Sequence, residues 1–165
     1  MNFRLPTGAL ALLLSHPALH PAVPDANLGG SWIMDRDRSF SNAAGLEQVM
    51  TVVHDGDRLR MEATLKTPKG EQTVQENWIL DGLEREVVPE GAAPGTKVRR
   101  KGYWLPGRRS IVLEEERTSD TPKGPVTQKT VRKISLSVDG GTMTMDYYFD
   151  TPRGSFESKK VFIRK

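Results

Sequence analysis

The sequence predicts an all-β chain folded as a single antiparallel up-and-down β-barrel of about ten strands. Three observations carry this. Turn signals built on glycine recur along nearly the whole chain from Gly30 onward. The segments between them are mostly ten to fourteen residues long and rich in Val, Thr, Ile, Tyr and Trp, as strands are. Their apolar residues alternate with polar ones, the pattern of a sheet with one face solvated.

The turns fall into two chemistries. Asp-Gly pairs stand at Asp55-Gly56, Asp81-Gly82 and Asp139-Gly140, and suit type I′ hairpins. Thr-Pro-Lys/Arg-Gly stands at 67–70, 121–124 and 151–154, with Pro in the second turn position, and suits a type I turn. The two kinds nearly alternate, so a meander places them at opposite rims. The Asp-Gly rim takes Pro106-Gly107 as well. The Thr-Pro rim takes the 89–95 loop and the 36–46 link, expected as a flap or short helix over the mouth.

The strands expected between these turns are 30–35, 47–55, 57–67, 71–80, 83–88, 96–105, 108–119, 126–138, 142–151 and 155–165. Left flat, such a meander exposes two long edges, and closure removes them. Faces follow from the period of two. Leu59, Met61, Ala63 and Leu65 share one face of their strand. Met143, Met145, Tyr147 and Phe149 share one face of theirs.

Length and composition bound the rest. The 165 residues suffice for one domain with a core. Charged residues are 27% and hydrophobic ones 36%, ordinary values that argue against disorder. A net charge of +3 is far from that of a dedicated nucleic-acid binder. With no cysteine there is no disulfide, thiolate metal site or cysteine nucleophile. Residues 1–26 read as a signal peptide or disordered leader: a basic start at Arg4, an apolar run from Gly8 to Leu14, then a Pro/Ala-rich stretch. The run is too short to span a bilayer. Export would place the barrel, 27–165, in a secreted or periplasmic compartment.

Two stretches carry a family resemblance. Gly30-Ser31-Trp32 resembles the Gly-x-Trp that opens the first lipocalin strand, and Leu136-Ser137-Val138-Asp139-Gly140 resembles a hairpin common among lipocalin-like, calycin-type barrels of uncharacterised secreted bacterial proteins. The resemblance implies that Trp32 plugs the closed end with a basic residue of the last strand, Arg164, lying across it. It also implies a barrel for a small lipophilic ligand. The strand number is nearer the ten of fatty-acid-binding proteins than the eight of lipocalins.

No catalytic constellation appears, and the chain is not expected to be an enzyme. Of three histidines, His16 and His20 lie in the leader, and His54 sits beside a turn. That leaves no histidine set for a metal or a Ser-His-Asp triad. No cofactor motif is present.

The expected interior is more informative. Pairing Trp104 with Arg109 across Pro106-Gly107 sets Arg100 opposite Leu113, and the 121–124 turn sets Leu113 opposite Arg132. Glu115 is then diagonal to both arginines on the inner face. Similar counting puts Glu76 and Arg85 inside near Trp78, and Lys160 inside near Met145. Buried charges need partners, and here cations outnumber carboxylates. The expected ligand is an anionic amphiphile such as a fatty acid, by analogy with fatty-acid-binding barrels. Arg100 and Arg132 would hold its head, with Glu115 and Tyr147 completing the network. Met61, Trp78, Trp104, Met143 and Met145 would line the apolar part. Three other readings stay open. The charges form a network that only fixes the fold. The chain is an envelope interaction module whose basic hairpin, Lys97 to Arg109, meets a protein or anionic lipid. Glu76 or Glu115 shuttles protons in an enzyme.

Overall fold

The computed structural model describes residues 26–40, 45–88 and 91–165. It contains ten strands: β1 Gly30–Phe40, β2 Glu47–Asp55, β3 Arg58–Thr67, β4 Gly70–Ile79, β5 Arg85–Val87, β6 Lys97–Trp104, β7 Ser110–Thr121, β8 Gly124–Leu136, β9 Thr142–Thr151 and β10 Gly154–Arg164. They form one antiparallel sheet in the order β4-β3-β2-β1-β10-β9-β8-β7-β6-β5. The expected all-β meander is therefore the fold, with the last strand pairing the first. Residues 1–25 of the expected 1–26 leader lie outside the described residues, as do 41–44 of the expected flap and 89–90 of the expected loop. Residues 36–40 continue β1 as strand rather than forming a flap. A register shift between Asp35 and Phe40 marks a bulge there. The Asp35 carboxylate accepts from the backbone N–H groups of Asp37 and Arg38 and holds it.

The sheet curls but does not close by a full ladder. β4 and β5 do not pair, and the seam between them is crossed by the single bridge Asp81↔Tyr103 and the bond from Gly82 N to Gly102 O at 2.9 Å. Asp81-Gly82 is thus a crossing of the seam and not the hairpin expected of it. The backbones come close here because Gly102 has no side chain. A Cβ on it would lie 2.8 Å from the Ile79 carbonyl oxygen.

The two turn chemistries behave differently. At 67–70, 121–124 and 151–154 the same device repeats. The Thr hydroxyl donates to the carbonyl of the Gly, at 3.3, 2.7 and 3.0 Å, and accepts from the N–H two residues on, at 3.2 Å each time. Type I′ geometry is absent at the Asp-Gly sites, because only the Gly adopts positive φ. At Gly56 φ is 58° and at Gly140 it is 72°, and Arg108 is the only non-Gly residue at positive φ among the described residues. Asp55 instead ends β2 opposite Arg58, which makes Gly56 and Asp57 the two central residues.

The Pro106-Gly107 loop corrects the expected register. Leu105 N bonds Ser110 O, and Arg108 N bonds Leu105 O. Pro106 and Gly107, with φ 81° at the Gly, occupy the central positions a type II turn requires. That turn splays a two-residue hairpin, so the loop takes two more residues. Trp104 pairs Ile111, and Arg100 faces Glu115 directly instead of Leu113. A slip of two residues leaves every side chain on its expected face. Across the 121–124 turn, Leu113 pairs Arg132 as the count required.

The core fills the Asp-Gly end. Trp32, Leu28, Ile111, Leu113, Ile134, Met143 and Phe162 are buried there. Each such side chain removes apolar surface worth roughly 1.5–3 kcal/mol. Arg164 is the Cα partner of Trp32, and its guanidinium carbon lies 4.4 Å from the Trp32 ring centroid. Its Nε donates to Gly140 O at 2.9 Å, and its terminal nitrogens donate to the carbonyls of Gly29 and Asn27. Trp32 Nε1 donates to Leu28 O at 3.0 Å.

The seam gives a direct check. Gly102→Ala should cost about 1–3 kcal/mol in urea unfolding, because the obstacle is backbone and cannot swing away. An unchanged midpoint would show that β4 and β6 do not approach as described.

Candidate functional site

Above the packed end, the inner face becomes charged. Arg100 on β6 donates through Nε to Glu115 Oε2 on β7 at 2.7 Å. Arg132 on β8 pairs Glu76 on β4 at 2.7 Å. Both arginines lie against one ring, with guanidinium carbons 4.8 and 5.1 Å from the Trp78 centroid. Trp78 Nε1 donates to Glu76 Oε2 at 3.1 Å. The result is a guanidinium–indole–guanidinium cluster with one carboxylate for each cation. Arg117 also reaches Glu115, at 3.3 Å, from a more exposed position.

Sequence and pleat place these groups. Glu76 and Trp78 are two apart on β4 and share a face. Arg132 bonds to Glu76 from a strand six places away in the sheet order, so the pair spans the barrel interior. Burial opposes ionisation of Glu76, but the charge and hydrogen bond of Arg132, the Trp78 N–H and the charge of Arg100 together outweigh it and hold the carboxyl below its ordinary value. Burial likewise opposes the charge on Arg132, and Glu76, Tyr147 and Glu115 together more than restore it. Both stay ionised at neutral pH.

A third inward cation has no such partner. Lys160 on β10 is 8% exposed. Its Nζ donates to Gln48 Oε1 on β2 at 2.8 Å and lies 4.8 Å from the Tyr147 ring centroid. Among the described residues it forms no ion pair. Burial, helped by the charge of Arg132, lowers its pKa from 10.5 to about 8. Tyr147 is half-buried, and desolvation of its hydroxyl raises that group's pKa.

Lys160 lines a cavity of about 300 Å³. Its floor is polar: Gln48, Glu76, Arg132, Tyr147 and Lys160. Its upper wall is apolar: Ala63, Leu65, Val74 and Phe149. Leu65 and Phe149 are close to the Thr-Pro turns, so the mouth lies at that rim. A larger hollow, about 540 Å³, follows the β4–β5 seam. Its walls mix inward Trp78 and Arg100 with outward Val53, Arg60 and Ile79, and Val53 is 58% exposed. It is a surface groove rather than an interior.

Of the residues expected to form the site, Arg132, Glu115, Tyr147, Met61 and Met145 line the cavity. Arg100 and Trp78 stand beside it within the charged cluster. Met143 does not line it and is packed in the core, 1% exposed. Trp104 is at the opposite end, 5.6 Å from the His54 ring and 4.8 Å from the Arg108 guanidinium. Arg85 turns to Asp81 at the seam, 2.5 Å away, rather than into the interior. Arg100 and Arg132, expected to hold a ligand head with Glu115 in their network, are each matched by a carboxylate, Glu115 and Glu76. Gln48 was not expected, although its strand signals it: it shares a face with Leu46, Met50 and Val52, a polar residue in an apolar row. The basic hairpin is partly tied up in contacts within the barrel. Arg99 pairs Glu84 and Glu116, and Arg109 donates to the carbonyls of Leu136 and Ser137.

Glu76→Ala strands Arg132 as a buried charge and should cost about 3–5 kcal/mol in urea unfolding. The double variant Glu76→Leu/Arg132→Met should recover most of that loss. A cost under about 1 kcal/mol for the single variant, in the range of an exposed pair, would contradict a buried pair.

The sequence matches no protein-family model and no curated protein. Solved structures of similar form exist. A secretory abundant heat soluble protein from Ramazzottius varieornatus aligns over 87% of this chain and 99% of its own, at 13% identity and a TM-score of 0.50. The zebrafish ileal bile acid-binding protein, complexed with cholic acid, aligns over 84% and 98%, at 16% identity and 0.49. The fatty-acid-binding protein of Manduca sexta aligns over 82% and 98%, at 12% identity and 0.44. At 13% identity the likeness to the secretory abundant heat soluble protein is one of fold alone.

Proposed function

We propose that the protein is an exported, non-enzymatic binding barrel for a small anionic amphiphile, a medium-chain fatty acid being the best fit. The observation that carries this is Lys160, a buried cation in a cavity wall whose one hydrogen-bond partner is the neutral Gln48. Burying an unpaired ammonium is costly. A carboxylate arriving at Lys160 removes that cost and gains a charge-assisted hydrogen bond. The head thus belongs at Lys160, with Arg132 as its electrostatic neighbour and Tyr147 beside it, rather than between Arg100 and Arg132. The tail runs along Ala63, Leu65, Val74 and Phe149. The volume limits its length. At about 30 Å³ per water, 300 Å³ holds about ten waters, room for an acid of roughly a dozen non-hydrogen atoms. Export rests on the order of charge and apolar residues in the first 26 positions.

Decanoic acid, added in isothermal titration calorimetry, tests the reading. Binding should occur at one site, and Lys160→Met should weaken it about 10–100-fold, the worth of a charged hydrogen bond. The acid binds the ammonium form. Affinity should therefore be level between about pH 6, where the acid is ionised, and about pH 8, and fall above that as Lys160 loses its proton. No heat of binding, or equal affinity in Lys160→Met, would overturn the proposal.

A further inference from the structure

Lys160 differs chemically from every other lysine among the described residues. Lys66 pairs Glu71 and Lys129 pairs Glu116 on the solvated face, and both are exposed. Lys160 is a buried primary amine in the polar floor of a chamber whose upper wall is apolar. Gln48 accepts one of its N–H groups, and the rest of the amine faces Tyr147 and Met145. No carboxylate holds it in the ammonium form.

An amine so placed is a nucleophile as well as a charge. We propose that Lys160 also captures amphiphilic aldehydes covalently, its Nζ condensing with the carbonyl carbon to give an imine. The inference rests on the reading of the cavity as a ligand site. The neutral amine attacks the carbonyl carbon, forming the C–N bond, and the carbonyl π electrons move to oxygen. A proton passes from nitrogen to that oxygen, giving a carbinolamine. The C–O bond then breaks and oxygen leaves as water, carrying both former amine protons. No oxidant or reductant is consumed.

Three features of the chamber suit this step. The amine must be neutral to attack, and with its pKa near 8 about a tenth of it is so at pH 7. The apolar upper wall holds an alkyl tail that brings the carbonyl down to the floor, replacing a bimolecular encounter by a positioned one. A nearby cation is the remaining requirement for keeping a buried amine unprotonated, and Arg132 supplies it.

The experiment uses a matched pair, decanal and decanoic acid. The full chain is incubated with decanal at pH 7.5, reduced with cyanoborohydride and analysed by intact mass and peptide mapping. One reduced adduct on Lys160 is expected, formed at least tenfold faster than on any other lysine. Excess decanoic acid should suppress it. Decanal labelling spread over the exposed lysines with Lys160 unmodified would overturn the inference. The measurement is made on the wild-type chain, so it does not depend on a variant folding. Lys160→Arg, checked by its thermal midpoint, should lose the adduct; an undiminished adduct in that variant would also overturn the inference. The two readings fail separately. Decanoic acid binding without a Lys160 adduct sinks only the aldehyde chemistry. An adduct without decanoic acid binding supports that chemistry and sinks the anion reading. Absence of both sinks both.

Discussion

Desolvation of charge organises the interior of this barrel. An ion moved from water into protein loses several kcal/mol even after the surroundings relax. Arg100 and Arg132 offset that loss with a carboxylate each, and with the shared face of Trp78. The partners come from different strands, so the pairs also fix how the walls approach. Arg132 to Glu76 joins β8 to β4, Lys160 to Gln48 joins β10 to β2, and Arg100 against Trp78 crosses the seam. The polar layer acts as a set of struts above an apolar floor. It leaves a chamber because side chains held apart by charge and hydrogen bonds do not collapse onto one another.

The barrel supports that layer at two weak points. At the seam, β4 and β5 share no ladder, and the approach of β4 to β6 depends on the missing side chain of Gly102 and the bridge at Asp81. At the closed end, Arg164 covers Trp32 and ties three backbone carbonyls around it. The first and last strands meet there, so this cap joins the two ends of the described barrel. Apolar packing fills the space between, which confines any ligand to the polar layer and the mouth above it.

Much of the fold was legible in the sequence because turn chemistry is local. Thr-Pro-Lys/Arg-Gly specifies its own hydrogen bonds, and the three copies form the same set. Inward and outward faces were legible because they depend only on parity, which survived the two-residue slip at Pro106-Gly107. The slip arose because Pro-Gly demands a type II turn that needs extra residues, a constraint the strand pattern does not show. The site was legible only in part. Neighbours along a ladder follow from register, so Arg100 and Glu115 came within reach of each other. Contacts across the interior do not follow from register. The pairing of Glu76 with Arg132 and of Gln48 with Lys160 depends on how strongly the sheet curls. Trp104 was on the correct face but at the wrong height, and a period of two carries no information about height.

The chemistry narrows to one imbalance. The three most enclosed inward cations, Arg100, Arg132 and Lys160, meet two carboxylates, and the excess falls on Lys160. The most direct test is an NMR titration that follows the Lys160 side chain, alone and with decanoic acid. The account predicts a pKa near 8 in the free protein, below the ordinary 10.5, and a rise when the carboxylate binds. A value near 10.5 that does not move with the acid would contradict it.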